Sequence, residues 1–236
     1  MQPPLPPVVL ITRPAPAARR FADQIADLGL ATVIAPLMRI VPVPHDSAAV
    51  AAAEGLVLTS ENAVPHAGPG RGRPAICVGP RTAELARAAG FAVTQGPGDA
   101  AGMMPLLTGL GPGWVHLRGV RVAAELPVPG IVVYDQQALA LSEEATALLK
   151  RPAPVILPLF SPRAAALAAA AVAAVGPAAP LWLAPISAAA DAAWDRAWTG
   201  PAPATLRRAV APSPDAPGIR CVIRDLARGT EPPGAG

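Results

Sequence analysis

Short apolar runs, most of them unbroken by a polar position, recur along this chain with Ala-rich segments between them, and this alternation narrows the fold more than any other feature. The runs are VVLIT (Val8 to Thr12), ATVIA (Ala31 to Ala35), GLVLT (Gly55 to Thr59), AICV (Ala75 to Val78), AVT (Ala92 to Thr94), WVHLR (Trp114 to Arg118), IVVY (Ile131 to Tyr134), PVILPLF (Pro154 to Phe160), PLWLA (Pro180 to Ala184) and AVAP (Ala209 to Pro212). A strand that is apolar at every position has both faces covered, which points to mostly parallel sheets with helices on each side. Ten such runs fit two five-stranded sheets better than one. Between them, residues 15–29, 81–90, 162–176 and 187–198 read as helices, three of which end at or near a glycine suited to a C-cap. The expected class is therefore α/β.

The two halves of the chain repeat one another in order. LITRP (Leu10 to Pro14) returns as HLRG (His116 to Gly119), LTSENAV (Leu58 to Val64) as LFSPRAA (Leu159 to Ala165), and VGPRTAELA (Val78 to Ala86) as ISAAADAAW (Ile186 to Trp194). The ordered motifs, rather than residue-by-residue identity, identify a diverged duplication.

Composition limits what such a scaffold can do. Of 236 residues 52% are hydrophobic and 15% charged, enough for real cores, and only residues 229–236, GTEPPGAG, read as a disordered tail. No run has the length of a membrane span, and the N-terminus lacks the basic region and cleavage site of a signal peptide, so a cytoplasmic protein is expected, not a two-lobed periplasmic binder. The net charge is +3, and Lys150 is the only lysine. The arginines are scattered without interleaved aromatics, which speaks against nucleic acid and for a small polyanion held by bidentate guanidinium groups. GPGRGRP (Gly68 to Pro74) fails the spacing of a dinucleotide fingerprint, and no Gly-Lys pair forms a P-loop. His45, His66 and His116 stand far apart, Cys77 and Cys221 are isolated, and no GxSxG elbow occurs, so neither a metal site nor a serine hydrolase is expected.

What remains are strand ends. In TSENAV, Ser60 stands where a strand gives way to a helix, with Asn62 just inside it; in FSPRAA, Ser161 does the same, followed by Pro162 and Arg163. Each serine alone reads as an ordinary N-cap, whereas two at matching places beyond parallel strands mark a site for an anion. In VGPRTA, Gly79 makes the turn and Thr82 falls in the first helical turn, its hydroxyl free to meet a ligand or the local backbone. Arg13 and Arg118, each read as directly following a strand, are placed to meet carboxylates or to form ordinary surface ion pairs. Tyr134, the only tyrosine, ends the run GIVVY; by composition alone it suits a hinge or core position with a satisfied hydroxyl.

The ordered set TRP, APL (Ala35 to Leu37), TSENAV, VGPRTA, HLRG, VVY and FSPRA, from Val8 to Leu226, resembles uroporphyrinogen-III synthase. The resemblance implies two similar lobes, residues 1–38 with 138–236 and residues 43–132, joined by a two-stranded linker at 39–42 and 133–137, with the active site between them. It implies a monomeric, cofactor-free and metal-free lyase of heme biosynthesis. The enzyme closes the octacarboxylate linear tetrapyrrole hydroxymethylbilane with inversion of the last ring and loss of water, its substrate handed over by hydroxymethylbilane synthase. By the same resemblance Tyr134 is the catalytic proton donor, and Arg13, Ser60, Asn62, Gly79, Thr82, Arg118, Ser161, Arg163 and Ser187 line the substrate site. One departure stands out: where the second VGxxTA pattern is expected, the chain reads ISAAAD, with Ser187 at the Gly position and Ala190 at the Thr position. That departure leaves room for the alternative, a non-catalytic tetrapyrrole- or anion-binding regulator on the same scaffold.

Overall fold

The computed structural model describes residues 5–98, 100–122, 124–203 and 205–229. The chain divides into two compact units, one built from residues 1–39 and 138–236 and the other from Ile40–Gln137. From residue 230 onward the expected tail lies outside the described residues.

In the first unit, β1 (Val8–Ile11), β2 (Ala31–Ile34), β9 (Val155–Leu159), β10 (Leu181–Pro185) and β11 (Leu206–Arg208) form a five-stranded sheet in the order β11-β10-β9-β1-β2. Every pair in it is parallel. One face carries Leu10, Leu157, Leu159, Leu181 and Leu183, which pack on α5 (Glu143–Leu149), α6 (Pro162–Val175) and α7 (Ala188–Ala197). The other carries Val9, Ile11, Ile156 and Trp182 against α1 (Ala15–Gln24) and α8 (Ala216–Arg228). Both faces of the central strands β1, β9 and β10 are thus covered, which is why these three are apolar at consecutive positions; each fully buried Leu or Ile contributes about 1.5–3 kcal/mol. The alanines of α6 let α7 come close, since small side chains shorten the interaxial distance. Helix α6 stops at Gly176, whose φ of +62° is the left-handed conformation that favours glycine at a C-cap.

The second unit has six strands, β3 (Met38–Pro42), β4 (Gly55–Leu58), β5 (Pro74–Cys77), β6 (Ala92–Gln95), β7 (Trp114–Gly119) and β8 (Gly130–Ala138), in the order β3-β8-β7-β4-β5-β6. The five from β8 to β6 are parallel. β3 runs antiparallel to β8: Leu139 N–H donates to the Leu37 carbonyl and Val43 N–H to the Val133 carbonyl, at opposite ends of the pair. Leu56, Leu58, Leu117 and Val133 face α2 (Ser47–Ala52) and α3 (Pro80–Ala88), while Val57 and Ile76 face α4 (Ala100–Leu107).

Three expectations change. The second sheet has six strands rather than five, because β3 adds to β8. Residues 209–212 are not the last strand; β11 comes just before them, and only the N–H groups of Ala209 and Ala211 continue the bonding, to Leu183 and Pro185. Tyr134 does not end its strand, since pairing carries β8 on to Ala138.

The duplication is visible in the sheets. Replacing β1, β2, β9, β10 and β11 by their repeat counterparts β7, β8, β4, β5 and β6 turns the first order into β6-β5-β4-β7-β8, the second sheet without β3. Leaving β3 aside, each sheet therefore takes two strands from one repeat and three from the other.

Candidate functional site

In parallel sheets the helix starts and loops that bind ligands gather at the carboxyl ends of the strands. In the first unit this edge holds four of the expected residues. Ser161 caps α6, its Oγ accepting from the Ala164 N–H at 3.1 Å, and Ser187 caps α7, its Oγ accepting from Ala190 at 3.3 Å. Arg163 lies in the first turn of α6, next to Pro162, which fits there because its missing N–H would have had no helical partner. Arg13 follows β1 and stacks its guanidinium on the Phe160 ring at 3.9 Å. The ring braces the cation from one side, a cation–π contact that fixes the plane of the guanidinium. Phe160 was not singled out in the sequence; its place immediately before Ser161 was the only hint.

In the second unit, Ser60 follows β4 and accepts the Asn62 N–H at 3.2 Å. The expected helix that it caps is a six-residue 3-10 helix, Glu61–His66. Pro65 inside it has no N–H to give, and the Ala63 N–H closes a tight turn on the Ser60 carbonyl. Gly79 occupies the N-cap of α3 in extended conformation, and Thr82 in the first turn is buried.

Arg118 departs from expectation. It lies inside β7 rather than after it, because β8 pairs with β7 as far as Gly119. Strand alternation turns it to the face opposite Leu117, beside His116, and it approaches Glu125 at 3.9 Å. It does not join Tyr134.

Tyr134 is 3% exposed, its ring part of the core formed with Leu58, Leu117 and Val133. Its oxygen hydrogen-bonds with the Ser60 and Gln136 side chains and the Gly119 backbone. Burial raises the phenol's pKa above its ordinary value, and these three groups oppose that rise because they stabilise the ionised oxygen. Ser60 thus links two expected residues: its oxygen accepts from Asn62 and it also meets Tyr134. Gln136 and Gly119 were missed, since neither residue type at those positions announces a partner.

Just across the sheet, His116 is buried with Nε2 2.8 Å from Thr59 Oγ1. Burial, then the nearby Arg118 charge, pushes its pKa down to about 4, so it is neutral at pH 7. Cys77 is also buried, its thiol pushed up to about 11 by desolvation, which makes it a core hydrophobe and not a nucleophile. Among the described residues no group of three His, Cys, Asp or Glu could hold a metal ion, and no helix is long and apolar enough to cross a membrane.

A sequence model of a family described as uroporphyrinogen-III synthase HemD matches residues 19–190, well over half of the chain. Among solved structures, the fold is similar to that of uroporphyrinogen-III synthetase from Helicobacter pylori, with TM-score 0.60 and 15% identity, covering 94% of this chain and 100% of that one. It is also similar to a mutant uroporphyrinogen III synthase from the extremely thermophilic bacterium Thermus thermophilus, with TM-score 0.50 and 13% identity, covering 95% of this chain and 99% of that one. At such identities the structural likeness speaks for the fold, and the family match carries the rest. Among curated proteins none matches in sequence.

Proposed function

This chain belongs to the uroporphyrinogen-III synthase family, lyases of porphyrin biosynthesis, and on that premise we propose that Tyr134 is the proton donor that starts ring closure of hydroxymethylbilane. The phenol O–H gives its proton to the departing hydroxyl, which leaves as water while the electron pair of the pyrrole nitrogen forms an azafulvene. The substituted carbon of the last ring attacks that methylene and gives a spiro intermediate. One bond of the spiro centre then breaks to release the ring, and the freed methylene bonds to the other free position of the inverted ring. The proton lost from that position restores the phenol, so hydroxymethylbilane yields uroporphyrinogen III and one water.

The pyrroles supply most of the electron push, so the protein has to fold the substrate and ease one proton transfer. What supports Tyr134 in this role is the set of groups around its oxygen. A phenol is protonated at neutral pH and can donate; Ser60, Gln136 and the Gly119 backbone stabilise the phenolate left behind. The octacarboxylate finds partners in Arg13, Arg163 and the capped starts of α6 and α7 on the first unit, and in Ser60, Asn62, Gly79, Thr82 and Arg118 on the second. Ser187 replaces the expected glycine, yet its backbone N–H remains at a helix start. In this reading residues 39–42 and 133–137 are the linker between lobes 1–38 with 138–236 and 43–132, and the enzyme works as a monomer without cofactor on substrate handed over by hydroxymethylbilane synthase.

The test supplies hydroxymethylbilane and separates the type III from the type I isomer, because closure without enzyme gives type I. Parent protein is expected to yield type III, and Tyr134→Phe to lower kcat by about a hundredfold or more, the range of general acid catalysis. Type I alone from the parent would convert the protein into a tetrapyrrole binder, and a fully active Tyr134→Phe would remove the phenol from the mechanism.

A further inference from the structure

We propose that Gly119 and Gln136 are positioning residues for the Tyr134 phenol, Gly119 by leaving empty the space its ring fills and Gln136 by holding its oxygen. This rests on the assignment of Tyr134 as proton donor.

The strands β7 and β8 run in register from His116 opposite Gly130 to Arg118 opposite Val132, and then slip: Gly119 faces Tyr134 instead of Val133. Val133 is the extra residue of a β-bulge. A bulge re-aims the side chains around it, and here Val133 and Tyr134, though adjacent, both join the same core face. In regular β-structure Tyr134 would have pointed to the other face, away from Ser60. The bulge thus delivers the ring to the position directly over Gly119.

A side chain at that position would collide with the phenol. A Cβ on Gly119 would lie 2.7 Å from Cε2, 2.8 Å from Cζ and 3.1 Å from Oη of Tyr134. The first two separations are closer than carbon atoms approach without displacement, so a Cβ there would push the ring out of its place among the buried core residues. Nothing in the backbone asks for glycine here. Among the described residues the left-handed glycines are Gly29, Gly68, Gly72, Gly90, Gly98, Gly109 and Gly176, and Gly119 is not one of them. What requires its missing side chain is the phenol.

Gln136 completes the seat. It follows Tyr134 by two positions on β8 and therefore points to the same side, where its side chain hydrogen-bonds the phenol oxygen. Its own N–H is occupied by the Asp135 carboxylate at 2.7 Å. Gly119 sets how deep the ring sits, and Gln136 together with Ser60 sets where the oxygen points.

Gly119→Ala, Gln136→Leu and Tyr134→Phe are assayed side by side for kcat, KM and type III product. The tyrosinate absorbance of the first two and the parent is titrated as well; because Tyr134 is the only tyrosine, the signal is its own. Gly119→Ala should lower kcat about tenfold to a hundredfold with KM within about twofold, as expected for a displaced reacting group. Its phenol should titrate nearer to the ordinary value, because the ring loses burial. Gln136→Leu, which adds no bulk beneath the ring and stays informative if Gly119→Ala fails to fold, should lower kcat about threefold to tenfold and raise the titration midpoint, since a donor to the phenolate is gone. Parental kcat and parental titration in Gln136→Leu or in a folded Gly119→Ala, with Tyr134→Phe impaired, would overturn the proposal. Parental activity in Tyr134→Phe would instead overturn the Tyr134 assignment on which it rests.

Discussion

His116 shows how a single buried side chain sets a pH limit. Its imidazole is 3% exposed, bonded to Thr59, and held neutral with a pKa of about 4. In the unfolded chain a histidine titrates near 6.5, so between about 4 and 6.5 the unfolded state binds a proton that the folded state does not. The stability tied to neutral His116 is complete above about pH 6.5 and is lost progressively as the pH falls toward 4, by at most about 1.4 kcal/mol per pH unit. Urea unfolding of the parent and of His116→Gln between pH 7 and pH 4.5 should give a steeper loss for the parent. Curves of equal slope would show that another group governs acid sensitivity. His116 shares with Tyr134 the property of being a polar group made functional or harmless by the neighbours that bury it.

At the level of elements, helix starts carry both stability and function. Removing the Ser161 hydroxyl deprives the Ala164 N–H of its acceptor and should cost about 1 kcal/mol. If Ser161 only caps α6, the Ser161→Ala enzyme will keep its KM; the substrate-binding role requires KM to rise severalfold at temperatures where the variant is fully folded. These starts were legible in the sequence because a serine between an apolar run and an alanine-rich segment has few other uses. The buried strands were legible for a similar reason, as with β4, β9 and β10, whose every position is buried. By contrast β3 is mostly half-exposed and ends in Pro42, and β11 is exposed throughout, so neither leaves an apolar signature. The seat of Tyr134 was illegible for another reason. A glycine reveals nothing about which ring will cover it until register and bulge are known, and Phe160 beneath Arg13 depends likewise on two strands meeting side by side.

For the molecule as a whole, connectivity predicts an order of folding. The second unit is one continuous stretch, Ile40–Gln137, whereas the first must pair Val8 with Val155 across the intervening chain. Closing that long loop is entropically slower than assembling the contiguous unit. In pulsed hydrogen exchange during refolding, amides of β4 and β7 should gain protection before those of β1 and β9; the reverse order would refute it.

The shared authorship of the sheets has a consequence for ancestry. A chain consisting of one repeat would own two strands of one sheet and three of the other, leaving raw edges on each. Two such chains would complete one another only by exchanging strands, each lending to its twin what it lacked, as in swapped dimers. The present polypeptide holds both sets of strands in one chain, and its halves differ: one repeat carries a phenol and the glycine beneath it, while the counterpart segments VIAPLM and LITRP hold neither.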